Sequence, residues 1–219
     1  MRRTRIKICG LTRPQDVQAA CELGVDAAGF VCYERSPRFV PPERLASLAG
    51  GLAPFVTPVL LFVNADPGQV ARALRAVPHA LLQFHGDESE EACAAFGRSY
   101  LRAVAMGDGV DLLDCERRFS SAAGLLADAP SAAYGGSGRT FDWALLPAPE
   151  RRARPLILAG GLDASNVGSA IQAARPFGVD VSSGVETERG LKSEALMRRF
   201  VKAVRAADAG ITDEALRPA

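Results

Sequence analysis

Apolar residues along the chain gather into short runs rich in β-branched side chains, opening near Thr4, Val25, Thr57, His79, Tyr100, Ala123, Pro155 and Gly178. Between these runs, apolar positions recur at helical spacing over 13–23, 41–49, 67–76, 88–97, 109–119, 163–174 and 191–207, with a weaker, shorter stretch at 141–146. The pattern reads as strand then helix, eight times over. Helix-start signals agree with it. Pro14 follows Thr12 and Arg13, Pro41 and Pro42 precede Glu43, Pro67 follows Asp66, and Asp163 or Ser165 opens the run to Ala174. A proline there gives up an N–H that would have no partner anyway, and an Asp or Ser oxygen can accept one. Successive strand starts lie roughly 20 to 33 residues apart, which suits a βα unit with a right-handed crossover. No repeated sequence accompanies them.

Eight such units favour closure into one α/β domain, a single (β/α)8 TIM barrel over residues 1–207 followed by a C-terminal tail at 208–219. The competing arrangement is an open, doubly wound sheet. That fold calls for a GxGxxG turn after the first strand, where this chain has KICGLT. Composition narrows the functions available. With 48% hydrophobic and 23% charged residues and a net charge of +1, the chain is neither disordered nor equipped with a basic face for nucleic acid. No apolar run approaches the about 18 residues of a membrane span, and MRRTRIKICG lacks a signal-peptide core, so the expected location is cytoplasmic, with no membrane partner. Five cysteines without a CxxC pair, and only two histidines, argue against a disulfide framework and against a metal centre.

In a barrel of this kind chemistry belongs at the carboxyl ends of the strands. On the first strand, period-two alternation sets Ile6 and Ile8 outward and Lys7 and Cys9 inward. A lone cysteine is commonly a small buried hydrophobe. At a strand end above an ammonium it is also a candidate base, because Lys7 would favour the thiolate. Asp180, inward on the last strand, is the natural partner for Lys7. The fourth strand groups Leu81, Gln83 and His85 on one side, and His85 could bind substrate, donate a proton or brace a loop. The sixth strand ends at Asp128, ahead of the glycine-rich YGGSGRTFDW, which reads as a lid or as a plain connector. LILAGG and VDVSSG end the seventh and eighth strands. Their Gly160, Gly161, Ser183 and Gly184 would let backbone N–H groups approach phosphate oxygens, at the usual phosphate site of this fold. Arg35 and Arg38 flank Pro37 in the loop after the second strand, where a guanidinium could clamp a carboxylate or simply remain solvated.

Taken in order, KICGLT at 7–12, GFVCYERSPRFV at 29–40, FVN at 62–64, QFHGDE at 83–88, GGSGRTFDW at 135–143, LAGGL at 158–162 and VDVSSGVE at 179–186 resemble the phosphoribosylanthranilate isomerase family of tryptophan biosynthesis. The resemblance covers the chain apart from the tail. It implies an Amadori rearrangement of N-(5-phosphoribosyl)anthranilate to 1-(2-carboxyphenylamino)-1-deoxyribulose 5-phosphate, with no metal or organic cofactor. It also implies a phosphorylated aminoaldose as the partner of a monomer or homodimer. By the matched positions it makes Cys9 the general base and Asp128 the general acid. Arg38 would receive the anthranilate carboxylate, His85 and Asp180 would contact substrate, and the two glycine turns would hold the phosphate. Phe84 and Cys32 depart from the commoner QLHG and VFY. Parity turns Phe84 away from His85, while Cys32 is expected near the mouth, where a small side chain would loosen the pocket. Two other kinds of barrel compete: a metal-dependent epimerase or the next synthase of the pathway, and a non-catalytic or flavin-binding barrel using the same phosphate turns. Two histidines hardly supply the epimerase, and a single core-strand lysine hardly supplies the synthase.

Overall fold

The computed structural model describes residues 3–130 and 140–215. Eight parallel strands, β1 (Arg5–Cys9), β2 (Ala27–Val31), β3 (Thr57–Phe62), β4 (Leu81–Phe84), β5 (Tyr100–Ala105), β6 (Gly124–Asp128), β7 (Leu156–Leu158) and β8 (Gly178–Val181), follow one another around a closed barrel. β8 pairs with β1 in the register Arg5↔Gly178, Lys7↔Asp180. Closure removes both edges of this sheet, so no barrel strand is left with a row of unpaired backbone groups.

Alternation sorts the side chains as the sequence predicts. Ile6, Ile8, Phe30, Leu60, Phe62, Leu82, Phe84, Leu125, Leu158, Val179 and Val181 face outward and join the helices in one buried core. Phe84 lies among Phe62, Phe96 and Tyr100, with ring centroids 6.1, 6.0 and 5.8 Å away. Inside, the lining is split. Leu101, Ala103, Leu126, Ile157 and Ala159 form one apolar patch, and Cys9, Val31, Leu61 and Val63 another. Around the ring, Gln83 on one side and Lys7 with Asp180 on the other stand between these patches, and all three are buried.

The helices α1 (Pro14–Glu22), α2 (Pro42–Gly50), α3 (Pro67–Ala76), α4 (Glu90–Ala94), α5 (Leu112–Arg118), α6 (Val167–Ala174) and α7 (Glu194–Ala215) wrap this barrel. The first three open on proline, and α3 also carries a reciprocal cap, with Asp66 accepting from Gln69 N at 3.0 Å and Gln69 from Asp66 N at 3.1 Å. Strand–helix alternation fails once among the described residues. Between β6 and β7 the chain forms two 3-10 turns, Trp143–Leu145 and Pro149–Arg151, because Pro147 and Pro149 interrupt any longer helix. A hairpin of β9 (Glu186–Glu188) and β10 (Leu191–Lys192) occupies the ground before α7, so the helix expected from 191 starts at Glu194. Gly190, with φ +86°, makes that turn.

α7 also runs past the expected boundary at 207, to Ala215. Met197, Phe200, Val201, Val204 and Ala207 bury its inner stripe. Just beyond them, Asp208 accepts from the backbone N (2.9 Å) and Oγ1 (2.6 Å) of Thr4, at the entry to β1. The helix thus continues over 208–215, past the expected start of the tail, and 216–219 lie outside the described residues. No helix among the described residues is long and apolar enough to cross a membrane. Asp208→Ala leaves the Thr4 N–H without its acceptor and should lower unfolding free energy by about 1–3 kcal/mol, read as a lower urea midpoint with unchanged slope. An unchanged midpoint would mean that the clasp contributes nothing.

Candidate active site

The carboxyl ends of the strands surround a cavity of about 330 Å³. Cys9 reaches it from β1, one layer above Lys7. Its neighbour across the β1–β2 ladder is Gly29, where a Cβ would stand 2.8 Å from the Cys9 sulfur. Only glycine leaves room for the thiol.

Lys7 and Asp180 form a buried ion pair, Nζ to Oδ2 at 2.7 Å, as the alternation predicts. Burial works against the Lys7 charge, but Asp180 and Cys9 overcome it and raise its pKa. Burial pushes the Asp180 carboxyl up against the pull of Lys7, and its Oδ1 has no hydrogen-bond partner among the described residues. Cys9 departs from expectation. Burial pushes its thiol up, and Lys7 and Lys192 pull it down without cancelling that rise. The Asp180 carboxylate, 2.7 Å from the same ammonium, also pushes the thiol up, and together with burial it outweighs the two lysines.

Opposite Cys9, β6 ends on Asp128. Its Oδ1 accepts from Ala129 N at 2.8 Å, and its Oδ2 lies 3.1 Å from His85 Nε2. His85 follows β4 and lines the same cavity. On the next strand the backbone turns back at Gly160 and Gly161, with φ +82° and +59°. A Cβ on Gly160 would stand 2.5 Å from Ala129 N, so this turn can press against the Asp128 strand end only as glycine. Gly160, Gly161 and Ser183 line the cavity. Gly184 is not among the lining residues. It sits in the 3-10 turn Ser183–Val185, where a Cβ would collide with the Leu162 carbonyl.

Arg38 rides on a loop closed by Ser36 N to Tyr33 O (2.9 Å) and Val40 N to Val31 O (2.8 Å). Its side chain is not a free guanidinium. Nε and Nη2 both bond Glu186, each at 2.7 Å, and the carboxylate is shared with Lys192 Nζ at 2.7 Å. Burial opposes the Glu186 charge, but Arg38 and Lys192 hold it below the usual carboxylate range. Burial lowers Lys192, which also bonds Ser182 O at 3.0 Å. Three charges of this kind sum to one net positive at the cavity wall.

The cavity thus brings together Cys9, Arg38, His85, Asp128, Gly160, Gly161, Asp180 and Ser183, with Arg35 at its exposed rim. Cys32 is not part of it. Alternation from Gly29 sends Cys32 outward against the helical core, where burial raises its pKa to about 12, and Tyr33 takes the inward place. The small side chain at 32 therefore leaves the pocket wall untouched. Glu186 and Lys192 carried no period-two signal, because they belong to a hairpin set apart from the barrel; Arg189, in its turn, lines the cavity. The GGSG segment at 135–138 lies outside the described residues. Among the described residues, no group of three or more His, Cys, Asp or Glu side chains is placed to hold a metal ion.

Residues 6–203 match the family model of N-(5′-phosphoribosyl)anthranilate (PRA) isomerase. The N-(5′-phosphoribosyl)anthranilate isomerase of Methylibium petroleiphilum is 55% identical over 209 residues, covering 95% of this chain and 97% of that protein. The enzyme of Leptothrix cholodnii is 53% identical, covering 96% and 95%. Among solved structures, phosphoribosyl anthranilate isomerase from Thermotoga maritima superposes with a TM-score of 0.84 at 39% identity, covering 93% of this chain and 99% of the other. A phosphoribosyl anthranilate isomerase in complex with reduced 1-(o-carboxyphenylamino)-1-deoxyribulose 5-phosphate follows, with a TM-score of 0.81 at 35% identity and the same coverage. Near-complete coverage by sequence and by fold has one reading: the chain belongs to the N-(5′-phosphoribosyl)anthranilate isomerase family.

Proposed function

We propose that the chain isomerises N-(5′-phosphoribosyl)anthranilate with Cys9 as general base and Asp128 as general acid. The observation that carries this is the placement of both side chains on one cavity, between the glycine turns of β7 and β8 and the Arg38 bracket. The substrate has an anion at each end, and the cavity offers a distinct anchor for each. Backbone N–H groups around Gly160, Gly161, Ser183 and Gly184 suit the phosphate. Arg38 suits the carboxylate: with Nε and one Nη2 hydrogen committed to Glu186, it keeps N–H groups on its other edge.

Between the anchors the reaction opens with two proton transfers. Asp128 gives a proton to the ribose ring oxygen as the C1–O bond breaks, and the nitrogen lone pair forms a C1=N iminium. The cation acidifies C2, and Cys9 takes the C2 proton, leaving an enolamine. Return of a proton to C1 and loss of the hydroxyl proton at C2 give the ketone, with no net change in protons. Order matters for Cys9. Burial raises its thiol, so the S–H proton must pass to solvent before Cys9 can act as a base, and the positive charge of the iminium formed beside it favours that loss; the C2 proton then restores the thiol. Asp180, whose Oδ1 has no partner among the described residues, offers an acceptor for a ribose hydroxyl.

Cys9→Ser and Asp128→Asn should each lower kcat by about 10²–10⁴-fold with unfolding transitions unchanged, measured by loss of the anthranilate adduct's fluorescence. Full turnover by either variant would remove that residue from the mechanism. Arg38→Ala should act chiefly on KM, raising it about tenfold or more while kcat stays within a few-fold. Alkylation of Cys9 by iodoacetamide, mapped by peptide mass, should accelerate through and above the ordinary thiol range of pH. An inflection near neutrality would show a resting thiolate, with Cys9 ionised before the iminium forms.

A further inference from the structure

The geometry points to Gln83 as a positioning residue that fixes His85 in the Nε2–H tautomer, so that the ring donates to Asp128. This deepens the acid role assigned to Asp128 and rests on it for its catalytic meaning, though not for its geometry. Gln83 is fully buried on the inner face of β4, two residues before His85, and Leu82 and Phe84 turn outward on either side of it. Its Nε2 lies 3.1 Å from His85 Nδ1. Across the ring, His85 Nε2 lies 3.1 Å from Asp128 Oδ2, and Asp128 Oδ1 is already taken by Ala129 N.

A neutral imidazole carries one N–H and one bare nitrogen. An amide nitrogen has only hydrogens to offer, so Nδ1 must accept, and the ring proton then sits on Nε2, facing the carboxylate. Donation runs in one direction, from amide to ring to Asp128. The reverse orientation, with the Gln83 carbonyl accepting from Nδ1–H, would leave Nε2 bare toward Asp128 and lose the ring's donation to the carboxylate. Gln83 Oε1 has no hydrogen-bond partner among the described residues, so nothing else there rewards the amide's present orientation. The chemical use is at ring opening. When Asp128 gives up its proton, a fixed Nε2–H stands ready to stabilise the new carboxylate without reorganisation. Both ring nitrogens are then committed, and His85 cannot compete with Cys9 for the C2 proton.

The chain has two histidines, His79 and His85, so long-range proton–nitrogen correlation spectra of the 15N-labelled protein resolve the tautomer directly, with His85→Gln supplying the assignment. The expected result, above neutral pH, is a bare Nδ1 and a protonated Nε2 on His85. In Gln83→Leu the signals should move toward a mixture of tautomers, and kcat should fall about tenfold with KM within about twofold, the size of one lost orienting hydrogen bond. A wild-type His85 whose Nδ1 carries a proton would overturn the proposal, as would a Gln83→Leu protein whose His85 remains wholly Nε2–H. Gln83→Met, closer in shape, makes the same comparison if the leucine variant does not fold. The spectra read the tautomer without turnover. A wrong tautomer would leave the Asp128→Asn result standing, and full turnover of Asp128→Asn would leave the tautomer standing.

Discussion

The buried ion pair between Lys7 and Asp180 is the constraint on which the rest of the site depends. It joins the first and last strands at the seam where the barrel closes, in register, at 2.7 Å. Two charges inside a barrel are expensive to bury, and each is tolerable only because of the other; removing one partner of such a pair costs about 3–5 kcal/mol. One layer above the pair sits Cys9, and just beyond Asp180 the chain leaves β8 for the Ser183 turn. A slip of this seam would move Cys9 and the Ser183 turn together. The pair also bears on the electrostatics of Cys9: burial raises the thiol, Lys7 pulls it down, and Asp180 opposes that pull.

A second charged assembly does for Arg38 what the seam does for Cys9. Arg38 is held at two points by Glu186, Glu186 by Lys192, and Lys192 by the Ser182 carbonyl. The bracket comes from the hairpin that follows β8, so one stretch of chain supplies both the Ser183 turn at the cavity and the brace behind the arginine. Rigid placement of a long side chain removes entropy that binding would otherwise cost. The site is therefore built before substrate arrives.

Much of this could be read from the residues alone, for a physical reason. Period-two alternation is rigid in a barrel strand, so the inward places of Lys7, Cys9, Gln83, His85 and Asp180 followed from it, and so did the outward place of Phe84. The same rule, carried along β2, turns Cys32 outward; placing it by proximity to the mouth ignores that parity. The Glu186–Lys192 hairpin was hidden because its two short strands around Gly190 bury too little apolar surface to leave a pattern. The stretch at 141–146 misled in the opposite sense: its apolar spacing is helical, but it forms only the 3-10 turn Trp143–Leu145, and Pro147 and Pro149 keep that turn from growing. Protonation was the least legible property. The state of Cys9 depends on how burial and the claims of Asp180 on Lys7 balance in space, which spacing along the chain does not encode.

The clasp between Thr4 and Asp208 bears on how the molecule is made. Its partners are 204 residues apart, and those of the Lys7–Asp180 seam 173. During synthesis the first strand leaves the ribosome long before its eighth-strand neighbour or its helical clasp exists, and it must wait with an unpaired edge and an uncompensated lysine. Contacts of such separation form late and slowly. Ring closure, rather than any one βα unit, is then the step at which the nascent chain is most exposed to misassociation and most dependent on being left undisturbed.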